Sequence, residues 1–372
     1  MFVYLAGFAV SIGLLVVMPK VKSNQRQYIA LIALMIPCLI AGFRANTIGT
    51  DVQVYVEPMF ETAINSDSFR KFYTERFYQS AIGINTYAYN FEPAYVLLTY
   101  ICAKFFRSMP LLLFTIQALI VVPIYKGLKA FEKTQPVWLG MAVFYFLSYN
   151  QSLNLMRQWI AMAFLLYGFR FLRERKSKNY FITVALAAMF HYSAIFGVII
   201  FLIHRFMTGN SQKAKGRTVV LVIAGITALV FVSVIAEILS RLDIRYAGYI
   251  TGELQFMPRQ LLYRLPILLL VALRWKHIKE RDEFAYFYLV MIVYDILTSQ
   301  IIGVHRNSGR ISLYFSEYYM LAYPAICAAT SKRNNRLIME CAVLCYVLIY
   351  WLYTYALGGS SETVPYISSI SW

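Results

Sequence analysis

The sequence predicts an all-α polytopic integral membrane protein, on the basis of its composition and the length of its apolar segments. Of the 372 residues, 60% are hydrophobic and 14% are charged, whereas about 25% are charged in a typical soluble domain. The apolar residues form runs close to the roughly 20 residues with which a helix spans a bilayer. This composition excludes a soluble globular fold, because such a fold covers its surface with charged side chains.

The distribution of basic residues orients these runs. Of the 35 lysines and arginines, 22 lie in six alternate loops. Loops rich in lysine and arginine face the cytoplasm, so the net charge of +17 reflects orientation in a membrane and gives no reason to expect nucleic acid as a partner. The six loops cover residues 20–26, 126–133, 170–178, 205–217, 274–281 and 332–336.

This alternation predicts about twelve transmembrane helices in a single transmembrane domain over residues 1–372, with both termini extracytoplasmic. The apolar segment 92–107 does not fit as a further span, because another crossing would invert all later loops. We interpret it as a re-entrant or interfacial helix, within a long extracytoplasmic region at 44–109 that is not an independent domain. The helices are predicted near residues 2–19, 27–43, 110–126, 137–150, 154–171, 179–191, 193–207, 218–238, 259–274, 284–302, 311–329 and 337–357.

The 13 basic residues outside the six loops are predicted to lie toward the other side, and 11 of them are arginines. An arginine binds phosphate through two parallel hydrogen bonds, so this side fits a phosphate or pyrophosphate ligand. Arginines near helix ends also reach lipid headgroups without any other function. Arg157 differs, because a charge just inside the start of a helix needs a polar cavity or a partner.

Two histidines and two carboxylates are candidates for proton transfer or positioning. His191 lies at a predicted outer helix end between two apolar runs and is the first candidate base; the alternative is a hydrogen-bonded turn residue. His305 is the second candidate. Asp51 and Glu92 lie toward the two ends of the outer region, where each can orient an arginine, accept a proton or cap a helix.

Asp295 lies inside a predicted helix, where a carboxylate needs a partner. Arg264 and Arg310 are both candidates, and the sequence does not distinguish them. The chain has no Asp-x-Asp pair and no His/Cys cluster with metal-ligand spacing. We therefore expect no metal and no cofactor.

Six short motifs follow one another along the chain. They are Arg44-Ala-Asn-Thr-Ile-Gly-Thr-Asp51 with Tyr55, Glu92-Pro-Ala-Tyr95, Met156-Arg-Gln-Trp-Ile-Ala161, Phe190-His-Tyr-Ser-Ala194, Arg310-Ile-Ser-Leu-Tyr-Phe315 and Val364-Pro-Tyr366. In this order the chain, from about residue 40 to its end, resembles EpsG-like proteins, which belong with the Wzy-type bacterial polysaccharide polymerases.

The resemblance implies a glycosyltransferase that polymerises undecaprenyl-pyrophosphate-linked oligosaccharide repeat units, without a metal, at the outer or periplasmic face of the bacterial inner membrane. Its product is O antigen, capsule or exopolysaccharide. The implied partners are the lipid-linked oligosaccharide, membrane lipid and a chain-length regulator protein. The implied site consists of Arg157, Arg310, Arg44 and Arg306 on the pyrophosphate, His191 as the acceptor base, and Asp51, Glu92 and Gln158 positioning the sugar or the arginines.

Two other functions use a similar outer cavity. A flippase or transporter of lipid-linked glycans normally shows two related halves or paired broken helices, and the sequence contains no such repeat. A ligase similar to O-antigen ligases makes a single transfer with a site of nearly the same composition. The product distinguishes it, because a polymerase makes a ladder of chain lengths.

Overall fold

The computed structural model is mostly helical, as predicted, and divides into two compact units. The first consists of Met1–Gly197 with Val347–Trp372, and the second of Val198–Tyr346. The structure describes residues 1–79, 83–208, 213–231, 256–303 and 309–369.

Several helices in the described residues are suited to a bilayer. Four are long and apolar enough to cross one, and four shorter helices are also strongly apolar. The chain is therefore a multi-pass membrane protein, whereas the number of twelve spans and the side of the termini stay predictions. The four long helices are Phe2–Lys20, Ser23–Gly42, Met109–Lys129 and Arg333–Leu357.

The first unit is built mainly from helices that pack against one another. Its helices are α1 (Phe2–Val17), α2 (Ser23–Gly42), α3 (Glu57–Asn65), α4 (Phe69–Thr74), α5 (Pro93–Ile101), α6 (Met109–Lys129), α7 (Val137–Leu147), α8 (Tyr149–Ser152), α9 (Met156–Arg173) and α10 (Ser177–Ala188). Helix α2 packs on α1 and α6, α6 on α9, and α9 on α10. Gly127 of α6 permits the close contact with α9, because a β-carbon there would lie 3.0 Å from the carbonyl oxygen of Leu166.

Helix α2 continues through Pro37. A proline has no N–H group, so the carbonyl of Ala33, four residues earlier, loses its helical donor. Ser11 of α1 is fully buried, and its hydroxyl donates to this carbonyl at 2.7 Å. The hydroxyl replaces the missing helical donor to the carbonyl of Ala33, and this matters because the interior of a membrane contains no water that could donate instead.

The region 44–109, which is predicted to be extracytoplasmic, contains more structure than the one helix that the sequence predicted. Besides α3, α4 and α5, it forms an antiparallel hairpin of β1 (Arg76–Gln79) and β2 (Ile84–Tyr87). Strands of four residues are too short for their alternation to stand out in a sequence. Helix α5 and the π-helical turn Cys102–Phe106 confirm a helix at 92–107, and its re-entrant placement stays a prediction.

In the second unit, several helices pack on one apolar helix. The helices in its described residues are α11 (Phe196–Met207), α12 (Ala214–Val230), α13 (Pro258–Arg281), α14 (Ala285–Ser299), α15 (Arg310–Ser316), α16 (Tyr319–Ala328) and α17 (Arg333–Trp351), of which α11 begins and α17 ends in the first unit. Helix α14 packs on α12, α13 and α15. The apolar segment predicted as one helix at 311–329 forms two, α15 and α16.

Asp295 of α14 is fully buried, and its partner is Arg264 of α13. Nε and Nη2 of Arg264 donate to the two carboxylate oxygens at 2.7 and 2.8 Å. The hydroxyl of Tyr319 adds a third bond at 2.6 Å. The choice between Arg264 and Arg310 that the sequence left open is therefore decided, and the buried charge is compensated.

Candidate functional site

Arg157 lies in the first turn of α9, where the partial positive charge of a helix N-terminus disfavours a cation. Glu92, the residue before α5, offsets this effect, because Nη1 of Arg157 donates to its Oε2 oxygen. The side chain of Glu92 is 4% exposed and that of Arg157 is 21% exposed. The pair therefore places a cation at the edge of the protein interior.

Three buried rings hold the guanidinium of Arg157. Its Cζ atom lies 4.7 Å from the ring centroid of Tyr55, 4.8 Å from that of Phe91 and 5.7 Å from that of Tyr95. A cation over an aromatic face is attracted by the electron density of the ring. We call Tyr55, Phe91 and Tyr95 the aromatic cage, and it fixes the position of the cation.

Of the three roles that the sequence allowed for Glu92, the pair with Arg157 supports the orientation of an arginine. It occupies the N-cap position of α5, as the capping alternative predicts, but makes no side-chain capping hydrogen bond there. Its Oε1 oxygen accepts from the backbone N–H of Tyr192 at 3.3 Å. Glu92 therefore joins the first turn of α9 to the turn that follows α10, where His191 lies.

His191 caps the short helical turn Tyr192–Ile195. Its Nδ1 atom accepts from the backbone N–H of Ser193 at 3.1 Å and lies 2.7 Å from the hydroxyl of the same residue. A nitrogen that accepts an N–H carries no hydrogen, so the neutral ring has its hydrogen on Nε2. His191 is thus a hydrogen-bonded turn residue, and its role as a base stays a prediction; protonation of Nδ1 would cost the bond to Ser193.

Asp51 is linked to the aromatic cage and to the segment before α9. Its Oδ2 oxygen accepts from the hydroxyl of Tyr55 at 2.8 Å, and its backbone N–H donates to Oδ1 of Asn154 at 3.0 Å. Burial, and then the negative charge of Asp51, raise the pKa of Tyr55 well above its usual value. The phenol therefore keeps its proton at neutral pH and remains a donor.

Gly49 lets the loop that carries Asp51 approach the segment before α9. Its φ angle is +86°, and a β-carbon would lie 2.7 Å from the carbonyl oxygen of Leu153. Both the backbone conformation and the contact require glycine.

Arg44 supports the same segment from the protein interior. It is 1% exposed, and its Nη2 atom donates to the carbonyl of Leu153 at 3.0 Å and to the sulfur of Met156 at 3.3 Å. These contacts give Arg44 a positioning role behind Arg157. Its predicted contact with pyrophosphate stays a prediction, because the side chain is closed off from solvent in this structure.

The C-terminal tail folds over the loop at 43–51. The backbone N–H of Ala45 donates to the carbonyl oxygen of Ile367 at 2.8 Å, and the backbone N–H of Ser369 donates to the carbonyl oxygen of Phe43 at 2.8 Å. The hydroxyl of Thr50 donates to the side-chain carboxylate of Glu362 at 3.2 Å. The tail motif that includes Tyr366 therefore belongs to the support of this loop.

Gln158 and Arg310 are the remaining residues of the predicted site that lie in the described part of the chain. Gln158 follows Arg157 on α9 and is 4% exposed. Arg310 is exposed at the start of α15 in the second unit, whereas Arg306 and His305 lie outside the described residues. No group of three or more His, Cys, Asp or Glu side chains in the described residues is arranged to hold a metal ion.

Neither the aromatic cage nor Asn154 was among the site residues predicted from the sequence. Tyr55 and Tyr95 occur inside the motifs, close to Asp51 and Glu92, and Phe91 directly precedes Glu92. An aromatic residue within four positions of each candidate carboxylate was the signal that could have identified the cage.

The sequence profile of the EpsG family matches residues 27–368, which include all the residues placed around Arg157. No curated protein and no solved structure matches the chain. The match covers most of the chain, and together with the apolar helices it indicates a multi-pass membrane polymerase of polysaccharide biosynthesis. The chain belongs to the EpsG family.

Proposed function

We propose that the chain polymerises undecaprenyl-pyrophosphate-linked oligosaccharide repeat units, by metal-independent glycosyl transfer at the outer or periplasmic face of the bacterial inner membrane. The observation that carries this proposal is the state of Arg157. Its guanidinium is held by the buried carboxylate of Glu92 and by the aromatic cage, and its side chain is still 21% exposed. A fixed and accessible cation of this kind suits a pyrophosphate leaving group.

In this reaction a hydroxyl oxygen of the acceptor unit attacks the anomeric carbon of the donor glycan. The bond between that carbon and the pyrophosphate oxygen breaks, and the hydroxyl proton passes to a base. Negative charge builds up on the leaving pyrophosphate. Donors that are already oriented stabilise this charge most effectively in a site with little water.

Arg157 retains capacity for such a ligand. Glu92 engages its Nη1 atom, and a guanidinium has five N–H groups arranged in a rigid fork. The Nε–H group is buried, so we assign the remaining N–H groups of the two terminal nitrogens to phosphate oxygens. We assign Arg310 and Arg306 as additional pyrophosphate ligands, with Arg44 holding the segment before α9 in place.

We assign His191 as the base for the acceptor hydroxyl. Its turn is tied to the Arg157 site by the bond from the backbone N–H of Tyr192 to Glu92, at 3.3 Å. A proton accepted at Nδ1 displaces the Ser193 N–H, which makes proton transfer sensitive to the shape of this turn. Gln158 and Asp51 are assigned to positioning the sugar.

The test is to delete the gene in its own host and to separate the lipid-linked and surface glycans on a gel. The deletion strain is compared with strains restored with the intact chain, with Arg157→Ala or with His191→Ala. We expect the intact chain to restore a long-chain ladder, and both variants to export single repeat units only. Immunoblots of the membrane fraction check that the variants accumulate normally.

Other outcomes of this glycan analysis contradict the proposal. Loss of all exported units, with lipid-linked units trapped on the cytoplasmic side, indicates a flippase. A normal ladder without the gene refutes the polymerase function. A normal ladder from both variants removes the assignment of Arg157 and His191.

A further inference from the structure

The outward surface of the β1–β2 hairpin is rich in tyrosine. Strand β1 alternates, so that Phe77 is buried and Tyr78 is exposed. Arg76 is directly opposite Tyr87, and Tyr78 is opposite Asn85. Side chains of directly opposed residues lie on the same side of a sheet, so these exposed groups form one surface.

Two further rings extend this surface. Tyr89 stacks on Tyr87 with a centroid separation of 4.9 Å and an interplanar angle of 12°, and Tyr73 of α4 meets Tyr89 at 6.1 Å. Tyr78, Tyr89 and Tyr73 are 55%, 45% and 37% exposed. We call Tyr73, Tyr78, Tyr87 and Tyr89, together with Asn85, the tyrosine face.

The hairpin links the tyrosine face to the Arg157 site through its opposite side. On the buried side of β1, Phe77 stacks on Phe91 of the aromatic cage at 6.1 Å. Along the chain, Tyr89 precedes Phe91 by two residues, so their Cα atoms are at most about 7 Å apart. The tyrosine face and the aromatic cage are therefore close together on opposite sides of β1, so a glycan whose pyrophosphate end lies at Arg157 can extend around the hairpin to the tyrosine face.

The chemistry of this surface suits sugars. A sugar ring has an apolar C–H face and a rim of hydroxyl groups, and a tyrosine has an apolar ring face and a polar hydroxyl. The amide of Asn85 supplies both a donor and acceptors. The other strongly exposed rings of this region, Phe105 and Phe106, are 73% and 60% exposed and lack polar groups, as is typical of side chains inserted into lipid.

We propose that the tyrosine face binds the oligosaccharide part of the lipid-linked glycan and retains it between successive additions. This inference rests on the proposed polymerase function for the identity of the ligand. Retention keeps a growing chain near Arg157, so the tyrosine face favours long products.

The test uses the purified full chain in nanodiscs, and the oligosaccharide that mild acid releases from the lipid-linked repeat unit of the host. This probe has no lipid, so contact with lipid headgroups does not contribute to the signal. The double variant Tyr78→Ala/Tyr89→Ala is expected to bind about tenfold more weakly, because two rings lose their contact with the sugar. In the host, the same variant is expected to shift the ladder toward shorter chains without abolishing it.

The matched control is Phe105→Ala/Phe106→Ala, which also removes two exposed rings. It is expected to leave the affinity for the oligosaccharide and the ladder unchanged. Unchanged affinity in Tyr78→Ala/Tyr89→Ala, or equal loss in the control, overturns the inference. A deletion strain that still makes long chains refutes the polymerase function instead, so the two failures are distinguishable.

Discussion

Two arginine–carboxylate pairs, one in each compact unit, differ in how completely their groups are hydrogen-bonded. In the second unit, Arg264 and Asp295 are joined by two bonds of 2.7 and 2.8 Å, and Tyr319 provides a third. In the first unit, Glu92 engages one terminal nitrogen of Arg157. The Nε atom of Arg157 is buried without an acceptor, whereas that of Arg264 binds Asp295.

The exposure of the two pairs differs in the same direction. The side chain of Arg264 is 12% exposed and that of Asp295 is 1% exposed, compared with 21% for Arg157. A buried pair whose groups are satisfied holds helices together, and breaking it leaves an isolated charge. The terminal nitrogens of Arg157 keep N–H groups that Glu92 does not engage, at a more accessible position, which is why we propose an anion-binding role for Arg157 and a structural role for Arg264.

The largest expected effect is on stability, at the satisfied pair. Asp295→Ala leaves Arg264 as an uncompensated buried charge and is expected to lower the free energy of unfolding by about 3–5 kcal/mol. Thermal unfolding of the purified protein and its amount in the membrane measure the loss. The double variant Arg264→Met/Asp295→Leu is expected to recover most of the stability, and a well-folded Asp295→Ala protein contradicts the structural role.

At the other pair, the expected effect is on activity. Arg157→Ala is expected to slow glycan extension about 10²–10³-fold, as for the loss of one oriented donor to a developing charge, while the protein still accumulates. Arg157→Lys is expected to restore part of the rate, because it keeps the charge and loses the fork. Arg70→Ala, at an exposed arginine of α4, is the control, and an equal loss there would remove the special status of Arg157.

A smaller effect is expected where the Asp51 loop approaches the segment before α9. Gly49→Ala places a β-carbon against the carbonyl of Leu153 and is expected to cost about 1–3 kcal/mol of stability. Glycan extension should also slow, because Asn154 and Arg157 shift with this segment. The control is Gly13→Ala in α1, where no atom lies within 4 Å of the added carbon; thermal unfolding should show it to be neutral or stabilised.

The smallest effect is expected when the charge of Glu92 is removed and the size of its side chain is kept. Glu92→Gln keeps an acceptor for the N–H of Tyr192 and removes the charge that opposes Arg157. We expect glycan extension to slow about tenfold, within the range of a charge-assisted bond weakened to a neutral one. A rate equal to that of the intact chain would show that the aromatic cage alone positions Arg157.

Local patterns predicted part of this site. Arg157 was predicted to need a polar cavity or a partner, because an arginine within an apolar run is unfavourable by itself. Glu92 was predicted with three alternative roles, and the choice among them depends on a contact with a residue 65 positions later. The burial of Arg44 was not predicted, since its exposure depends on how the C-terminal tail covers the loop at 43–51.

The sequence by itself determined that this is a helical membrane protein of the EpsG family with an arginine-rich candidate site, because run length, charge distribution and motif order are properties of the chain alone. Only the tertiary structure decided that Asp295 pairs with Arg264, that Glu92 holds Arg157, and that three rings surround this cation. The physical reason is that each of these contacts joins segments far apart in the chain, and their energies depend on burial and on distances of a few ångströms. Those quantities exist only once the helices have packed.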